Sequence, residues 1–433
     1  MLNSSEESVK SRPIRKRIPS LRWVIAVVLL LVSVLNYLDR QTLSILARTI
    51  QEDLGISDAG YAKVVLAFQL TYAVMYLLSG RILDAIGTRL GMFCFVVWWS
   101  IANMLTGLAS GVLSLAVFRG LLGIGEPGGY TASAKAVAEW FPVREKGMAV
   151  GLYTMGGTLG AALAGPLVAG ITMRYGWRMA FAATGAMGLG LALVWWMFYR
   201  KPADHPRLSE AERAYLAGEK ILDQPAAAAR LRWRELGRLR PMWLVLIARM
   251  ITDPLWYFYL FWFPKYLQDA RGFTLREVGA TIWMVFVAAD LGSVAGGWAS
   301  GRFLRRGLTP IPARLRAMTG AAALLVFSWA MPFVGWPIAL AAVMAFAHMA
   351  WLTNITTFSV DIFPAHIIGS AHGAIGAGSA LGGLLSTAAV GWLVTHFSYT
   401  PTFFVMSLLH PIVIVGLWLS LPNAVAKYHE ELP

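Results

Sequence analysis

Two pairs of charged residues sit where the surrounding sequence gives them little water. Asp39 and Arg40 close an apolar run that begins at Trp23, and Arg119 and Glu126 lie seven residues apart in a later run. A charge inside a bilayer costs about 3 kcal/mol or more unless it is paired or wetted, so ionisable residues at that depth read as functional. Arginine offers a planar fork of donors that fits a carboxylate and stays charged. A buried carboxylate beside it can take and release a proton, with an affinity set by burial and by that neighbour. Together these residue types suit a cavity that binds an organic anion and couples it to protons. A permanent Asp39–Arg119 and Arg40–Glu126 set that merely neutralises itself is the structural alternative.

Such a site needs helices to hold it at depth. The chain has 433 residues, 57% hydrophobic and 14% charged, with 42 glycines. That profile excludes a soluble enzyme or a disordered chain and fits a polytopic helical membrane protein. Apolar runs predict twelve membrane helices near 23–46, 61–83, 90–110, 112–138, 147–171, 177–199, 242–267, 279–301, 316–334, 337–361, 369–395 and 401–421. Residues 1–22 and 422–433 read as cytoplasmic tails, 23–199 and 242–421 as two six-helix bundles, and 200–241 as a cytoplasmic central loop rich in proline and arginine. With both termini inside, 26 of the 37 Lys and Arg fall in cytoplasmic segments and 7 in outer loops. That bias sets the orientation and points to a plasma, or bacterial inner, membrane. Lys135 and Arg249, near cytoplasmic helix ends, are expected to snorkel. The net charge of +14 resides in short loops, which argues against nucleic acid. The one cysteine, Cys94, lies in an apolar run and excludes a disulfide framework or a thiolate metal site. The first run ends in Asp39-Arg40 instead of a cleavage site, so it reads as a retained helix rather than a signal peptide.

The halves repeat. Glu139, Phe141, Pro142, Gly147, Gly151, Gly156 and Gly160 recur 222 residues later as Asp361, Phe363, Pro364, Gly369, Gly373, Gly378 and Gly382. The glycine spacing lines a helix with small residues and permits close approach, and internal repeats mark secondary transporters with a site between the halves. Gly80-Arg81-Ile82-Leu83-Asp84-Ala85-Ile86-Gly87-Thr88-Arg89 fills the turn between the second and third helices. Its glycines permit a tight turn, and Asp84 is placed to accept from a basic residue across the half interface.

That loop resembles the one that characterises the major facilitator superfamily, departing from its commonest form at Ile82 and Thr88. The resemblance implies a conformational latch formed by Gly80, Asp84, Gly87 and Arg89. Asp39-Arg40 with Arg119-x6-Glu126-x-Gly128 is similar to the anion–cation symporter branch of sugar-acid transporters. Asp253-Pro254-Leu255-Trp256-Tyr257 through Leu267, with Ala289-Asp290-Leu291-Gly292, resembles its hexuronate transporters. The resemblance implies that Asp39 and Glu126 carry coupled protons, that Arg119 tunes Glu126, and that Arg40 binds the substrate carboxylate.

Tyr37, Tyr72 and Asn354 are further candidates for sugar hydroxyls, Tyr257 for substrate binding, and His348 for substrate binding or titration, though each of these types is common in helix packing. His348 stands 222 residues beyond Glu126. Asp253 and Asp290 lie at depth with either a site role or an inter-helix bond. The resulting expectation is a proton-driven symporter importing a hexuronate or related sugar acid, a monomer with no cofactor, metal or enzymatic activity. A drug or metabolite antiporter on the same fold and a membrane sensor of acidic sugars are the alternatives. The two intramembrane arginines favour an anion, and the chain has no nucleotide-binding G-x-x-x-x-G-K-[ST] loop.

Overall fold

The computed structural model describes residues 20–219, 221 and 233–430. The tail before residue 20, residues 220 and 222–232 of the central loop and 431–433 lie outside the described residues. Helices follow one another as α1 (Leu21–Ile45), α2 (Ala47–Leu54), α3 (Asp58–Ile86), α4 (Thr88–Thr106), α5 (Val112–Gly125), α6 (Pro127–Trp140), α7 (Val143–Tyr175) and α8 (Trp177–Phe198). The central segment contributes α9 (Glu210–Gly218) and α10 (Trp233–Leu236). The second half contains α11 (Arg240–Thr252), α12 (Pro254–Phe261), α13 (Phe263–Asp269), α14 (Leu275–Thr281), α15 (Trp283–Arg305), α16 (Pro310–Leu325), α17 (Pro337–Ile362), α18 (Ile368–His396) and α19 (Thr400–Glu430).

Among the described residues nine helical stretches are long and apolar enough to cross a membrane. The other three expected spans are helical but interrupted. The fourth is split at Glu126–Pro127 into α5 and α6, the eighth starts with short α14, and the ninth passes from α16 into a 3-10 turn at Val326–Ala330. The seventh expected span, 242–267, is three pieces, broken before Pro254 and at Trp262. Proline at 127 and 254 explains two of the breaks, since its nitrogen cannot donate to the preceding turn. The C-terminal stretch expected as a tail from 422 instead continues α19 to Glu430.

The repeated glycines show why two halves share one pattern. Gly156 and Gly160 let α7 lie against the backbone of α1 at Leu30 and Val34, and Gly378 and Gly382 let α18 lie against α11 at Leu246 and Met250. Gly147 and Gly151, one or two turns earlier, meet α15 and its neighbours across the half interface. Gly369 and Gly373 meet α3 in the same way. One pair of glycines therefore builds each bundle and the other pair joins the bundles. The joints lie at the end of the molecule from which the central segment emerges.

Helix α9 of that segment is held against the start of α1. Arg22 at the start of α1 donates to Glu145 (2.7 Å) and to Glu212 of α9 (2.8 Å), and its guanidinium lies 4.9 Å over the Tyr215 ring.

Candidate functional site

Arg40 is the centre of the N-terminal half. Its Nε and Nη2 both donate to Glu126 Oε2, at 3.0 and 2.6 Å. Aromatic faces box the guanidinium: Tyr72 at 4.6 Å, Tyr37 at 4.8 Å and Phe68 at 5.3 Å. Each such contact contributes about 0.5–2 kcal/mol while holding the cation in one orientation. The Arg40 side chain keeps 25% of its surface exposed, whereas Glu126 is completely buried. The second oxygen of Glu126, Oε1, has no hydrogen-bond partner among the described residues. Glu126 occupies the joint before Pro127, and Asn36 donates to its carbonyl at 3.2 Å.

Asp39 points elsewhere. Its Oδ1 accepts from Asn103 (2.7 Å), which also donates to Thr184 (2.7 Å), and its Oδ2 is buried with no hydrogen-bond partner among the described residues. Arg119 does not reach the Asp39 carboxylate. It donates instead to the carbonyls of Asp39 and Arg40, both at 3.4 Å, and lies 5.4 Å over Phe68. Of the self-neutralising set considered from sequence, Arg40–Glu126 is present and Asp39–Arg119 is not. Asn103 and Thr184 were missed because neutral polar residues in apolar runs carry no periodic signal.

Tyrosines extend the site. Tyr37 packs edge-on to Tyr130 (6.2 Å), Tyr130 to Tyr153 (6.0 Å), and Tyr72 to Tyr76 (5.4 Å). From the C-terminal half, Tyr257 stacks on Phe261 and packs on Gly383. The structure thus brings Asp39, Arg40, Arg119, Glu126, Tyr37 and Tyr72 together, and holds Tyr257 against α18 in the C-terminal half.

It does not bring His348 or Asn354 there. His348 is fully buried in its own half, bonded through Nδ1 to His410 Nε2 (3.2 Å) and parallel to Trp256. Asn354 donates to the carbonyls of Gly296 (3.0 Å) and Ala350 (2.9 Å) inside that half. Arg249 corrects another expectation. It does not snorkel; it is buried and donates to Asp253 Oδ2 at 3.0 and 2.8 Å. Asp290 accepts from Thr158 across the halves.

The loop expected to form a latch bonds across the halves through Asp84, with partners other than those expected. Asp84 pairs with Lys135 of its own half (2.6 Å), so Lys135 does not snorkel. Across the interface Asp84 accepts from the backbone of Gly369 (3.2 Å) and Ser370 (2.7 Å) and from the Ser370 hydroxyl (2.6 Å). The expected basic partner across the interface is thus replaced by the start of α18. Gly80 faces the Gly369 carbonyl with no room for a side chain, and Gly87 turns the chain at φ +82°. Arg89 belongs to the N-terminal half, donating to the Trp196 carbonyl (2.7 Å). A second joint went unseen in the sequence. Arg314 pairs with Asp361 (3.0 Å) and donates to the Val143 carbonyl (3.1 Å), while Lys146 donates to the Val360 carbonyl (2.8 Å).

Comparison with known proteins places this geometry in context. The family model of the Major Facilitator Superfamily matches residues 29–387. The hexuronate transporter of Escherichia coli K12 is 32% identical over 415 residues, spanning 94% of this chain and 96% of that one. The galacturonate transporter of Dickeya chrysanthemi is 36% identical over 283 residues, 65% of this chain and 82% of the relative. Among solved structures, the proton:xylose symporter XylE superposes with a TM-score of 0.73 at 17% identity, covering 93% of this chain and 96% of that one.

Proposed function

This chain belongs to the Major Facilitator Superfamily, and we propose that it imports a hexuronate or related sugar acid together with protons, by alternating access, across a bacterial inner membrane. The likeness to a hexuronate transporter over nearly the full length supports the substrate class. The observation that carries the reading is the Arg40–Glu126 pair within its tyrosine box. Arg40 has one carboxylate on it already. A proton taken up by Glu126 weakens that pair and leaves the arginine fork for the carboxylate of the substrate, so anion and proton arrive together. Arg119, bound to the carbonyls of Asp39 and Arg40, keeps the turn of α1 that aims the fork. Asp39, with one oxygen on Asn103 and the other unpartnered, is the second proton carrier. Tyr37, Tyr72 and Tyr257 offer hydroxyls to the sugar ring.

The orientation proposed here puts both termini and the central segment in the cytoplasm. The closed joints then face the cytoplasm, and the site is reached from outside. Cysteine in place of Arg306 should label from the cytoplasmic side and cysteine in place of Gly335 from the outside; the reverse pattern rejects the orientation. The function itself is tested with purified protein in proteoliposomes. An inward-directed proton gradient should drive accumulation of labelled D-galacturonate or D-glucuronate, and dissipating the gradient should leave only equilibration. Accumulation indifferent to the gradient rejects coupling, and no response to any uronate or aldonate rejects the substrate class.

A further inference from the structure

Each half holds an acid immediately before a proline at a helix break, and each acid grips an arginine. Glu126 precedes Pro127 and holds Arg40; Asp253 precedes Pro254 and holds Arg249. The second pair is the more enclosed, with 10% and 4% of the two side chains exposed. Ser379 of α18 completes it, donating to Asp253 Oδ2 and accepting from Arg249 (3.3 Å). Asp253 Oδ1 is buried with no partner. The pair is not remote from the substrate site. Arg249, Asp253 and Tyr257 succeed one another at four-residue spacing on α11 and α12, facing Ser379 and Gly383 at the same spacing on α18. Tyr76, in ring contact with Tyr72 beside Arg40, lies against Gly373 and Gly376 of α18, about one turn before Ser379.

Resting on the sugar-acid reading above, we propose that Asp253 is a specificity-determining residue that restricts the carrier to monocarboxylates by occupying, from within, the arginine a second substrate carboxylate would need. A hexuronate ends in a carboxylate at one end and a neutral hydroxyl or aldehyde carbon at the other. An aldarate carries a carboxylate at both ends. With its first carboxylate on Arg40, its second comes to the C-terminal wall, where Arg249 is already neutralised and Asp253 repels it. Rejection by a placed like charge discriminates strongly because the cost falls only on the unwanted ligand. Removing the charge of Asp253 leaves Arg249 buried and uncompensated, an arrangement that an incoming anion relieves.

The test measures competition by galacturonate and by galactarate, its dicarboxylate counterpart, against uptake of labelled D-galacturonate in proteoliposomes. Wild type should bind galactarate at least about tenfold more weakly. In Asp253→Asn that ratio should move about tenfold or more toward galactarate, and Arg249→Gln added to Asp253→Asn should reverse the gain. Asp253→Ser gives a smaller second variant, in case the amide is not tolerated. A ratio unmoved in a variant that still binds galacturonate overturns the proposal, as does equal binding of both acids by wild type. The wild-type comparison decides even if no variant assembles. Failure of wild type to respond to any sugar acid is a different outcome: it removes the substrate reading and this proposal with it.

Discussion

The two arginine–acid pairs are alike in chemistry and unlike in construction. Arg40 and Glu126 come from different helices, α1 and the α5–α6 joint, and the arginine retains a quarter of its surface. Arg249 and Asp253 sit four residues apart across one helix break, both nearly enclosed. A pair made between helices can be parted by a small relative movement or by one proton. A pair made within one turn keeps its geometry through such a movement, so it acts as a wall. On the reading proposed above, the pair between helices moves and the pair within one turn excludes; the two are not repeat-mates, since His348 stands 222 residues beyond Glu126.

The largest expected effect breaks the mobile pair. Glu126→Gln keeps the shape of the acid without its titration. Exchange of labelled for unlabelled substrate across the membrane should persist, whereas uphill uptake driven by a proton gradient should vanish; wild-type uphill rates in this variant would end the claim that Glu126 carries a coupled proton. Next comes the asymmetry of the arginines. Arg40→Lys loses the two-pronged grip and should weaken D-galacturonate binding about tenfold or more, while Arg249→Lys should weaken it far less. Equal losses, read by isothermal titration, would mean that both halves grip the same carboxylate. The third effect concerns the joints. A methyl at Gly80 would meet the Gly369 carbonyl, and one at Gly297 the Gly147 carbonyl, so Gly80→Ala and Gly297→Ala should each disfavour the closed arrangement by about 1–3 kcal/mol. Spin-label distances between α3 and α18 at that end should lengthen in Gly80→Ala; an unchanged distribution would show that the joint can give.

The smallest effect lies in the central segment. His205 accepts from the Arg207 backbone through Nδ1 (3.2 Å) and bonds the Phe198 carbonyl through Nε2 (2.9 Å), a pattern that requires the neutral ring. Burial, with Arg200 and Arg207 nearby, holds its pKa below the ordinary 6.5. The unfolded segment therefore binds the proton first. The contribution of the contact is complete above about pH 6.5 and declines as pH falls from there toward the lowered folded value. Hydrogen exchange over residues 199–218 should rise on acidification through that window, and His205→Gln should remove the dependence.

Much of this was legible before any coordinates. Twelve apolar runs, the 222-residue repeat and the Asp39-Arg40 and Arg119…Glu126 charges convey the helical architecture and the N-terminal charge cluster, because burial in lipid makes each charge conspicuous. What stayed hidden was partnership. Arg249, Lys135 and Lys146 look like positive charges near the cytoplasmic face, and linear position cannot distinguish a side chain that reaches toward lipid headgroups from one that turns inward to an acid. Asn103 is silent because one amide does little to an apolar run. His348 misled through its repeat position: symmetry equates backbone sites, yet Trp256 and His410 seal the one opposite Glu126.

Asp84 deserves a last look for what it does to α18. A helix begins with backbone donors that have no partner in the helix itself, and a carboxylate beside them acts as an N-terminal cap. For α18 that carboxylate comes from the other half of the molecule, through the bonds to Gly369 and Ser370. In the alternating access proposed above, the cap is lent in trans and withdrawn when the joint opens. Its usual contribution of about 0.5–2 kcal/mol therefore enters the equilibrium between conformers instead of the folding equilibrium, shifting their populations by roughly two- to thirtyfold. Opening exchanges that carboxylate for water at the frayed first turn of α18, so a secondary-structure preference becomes part of the transport cycle.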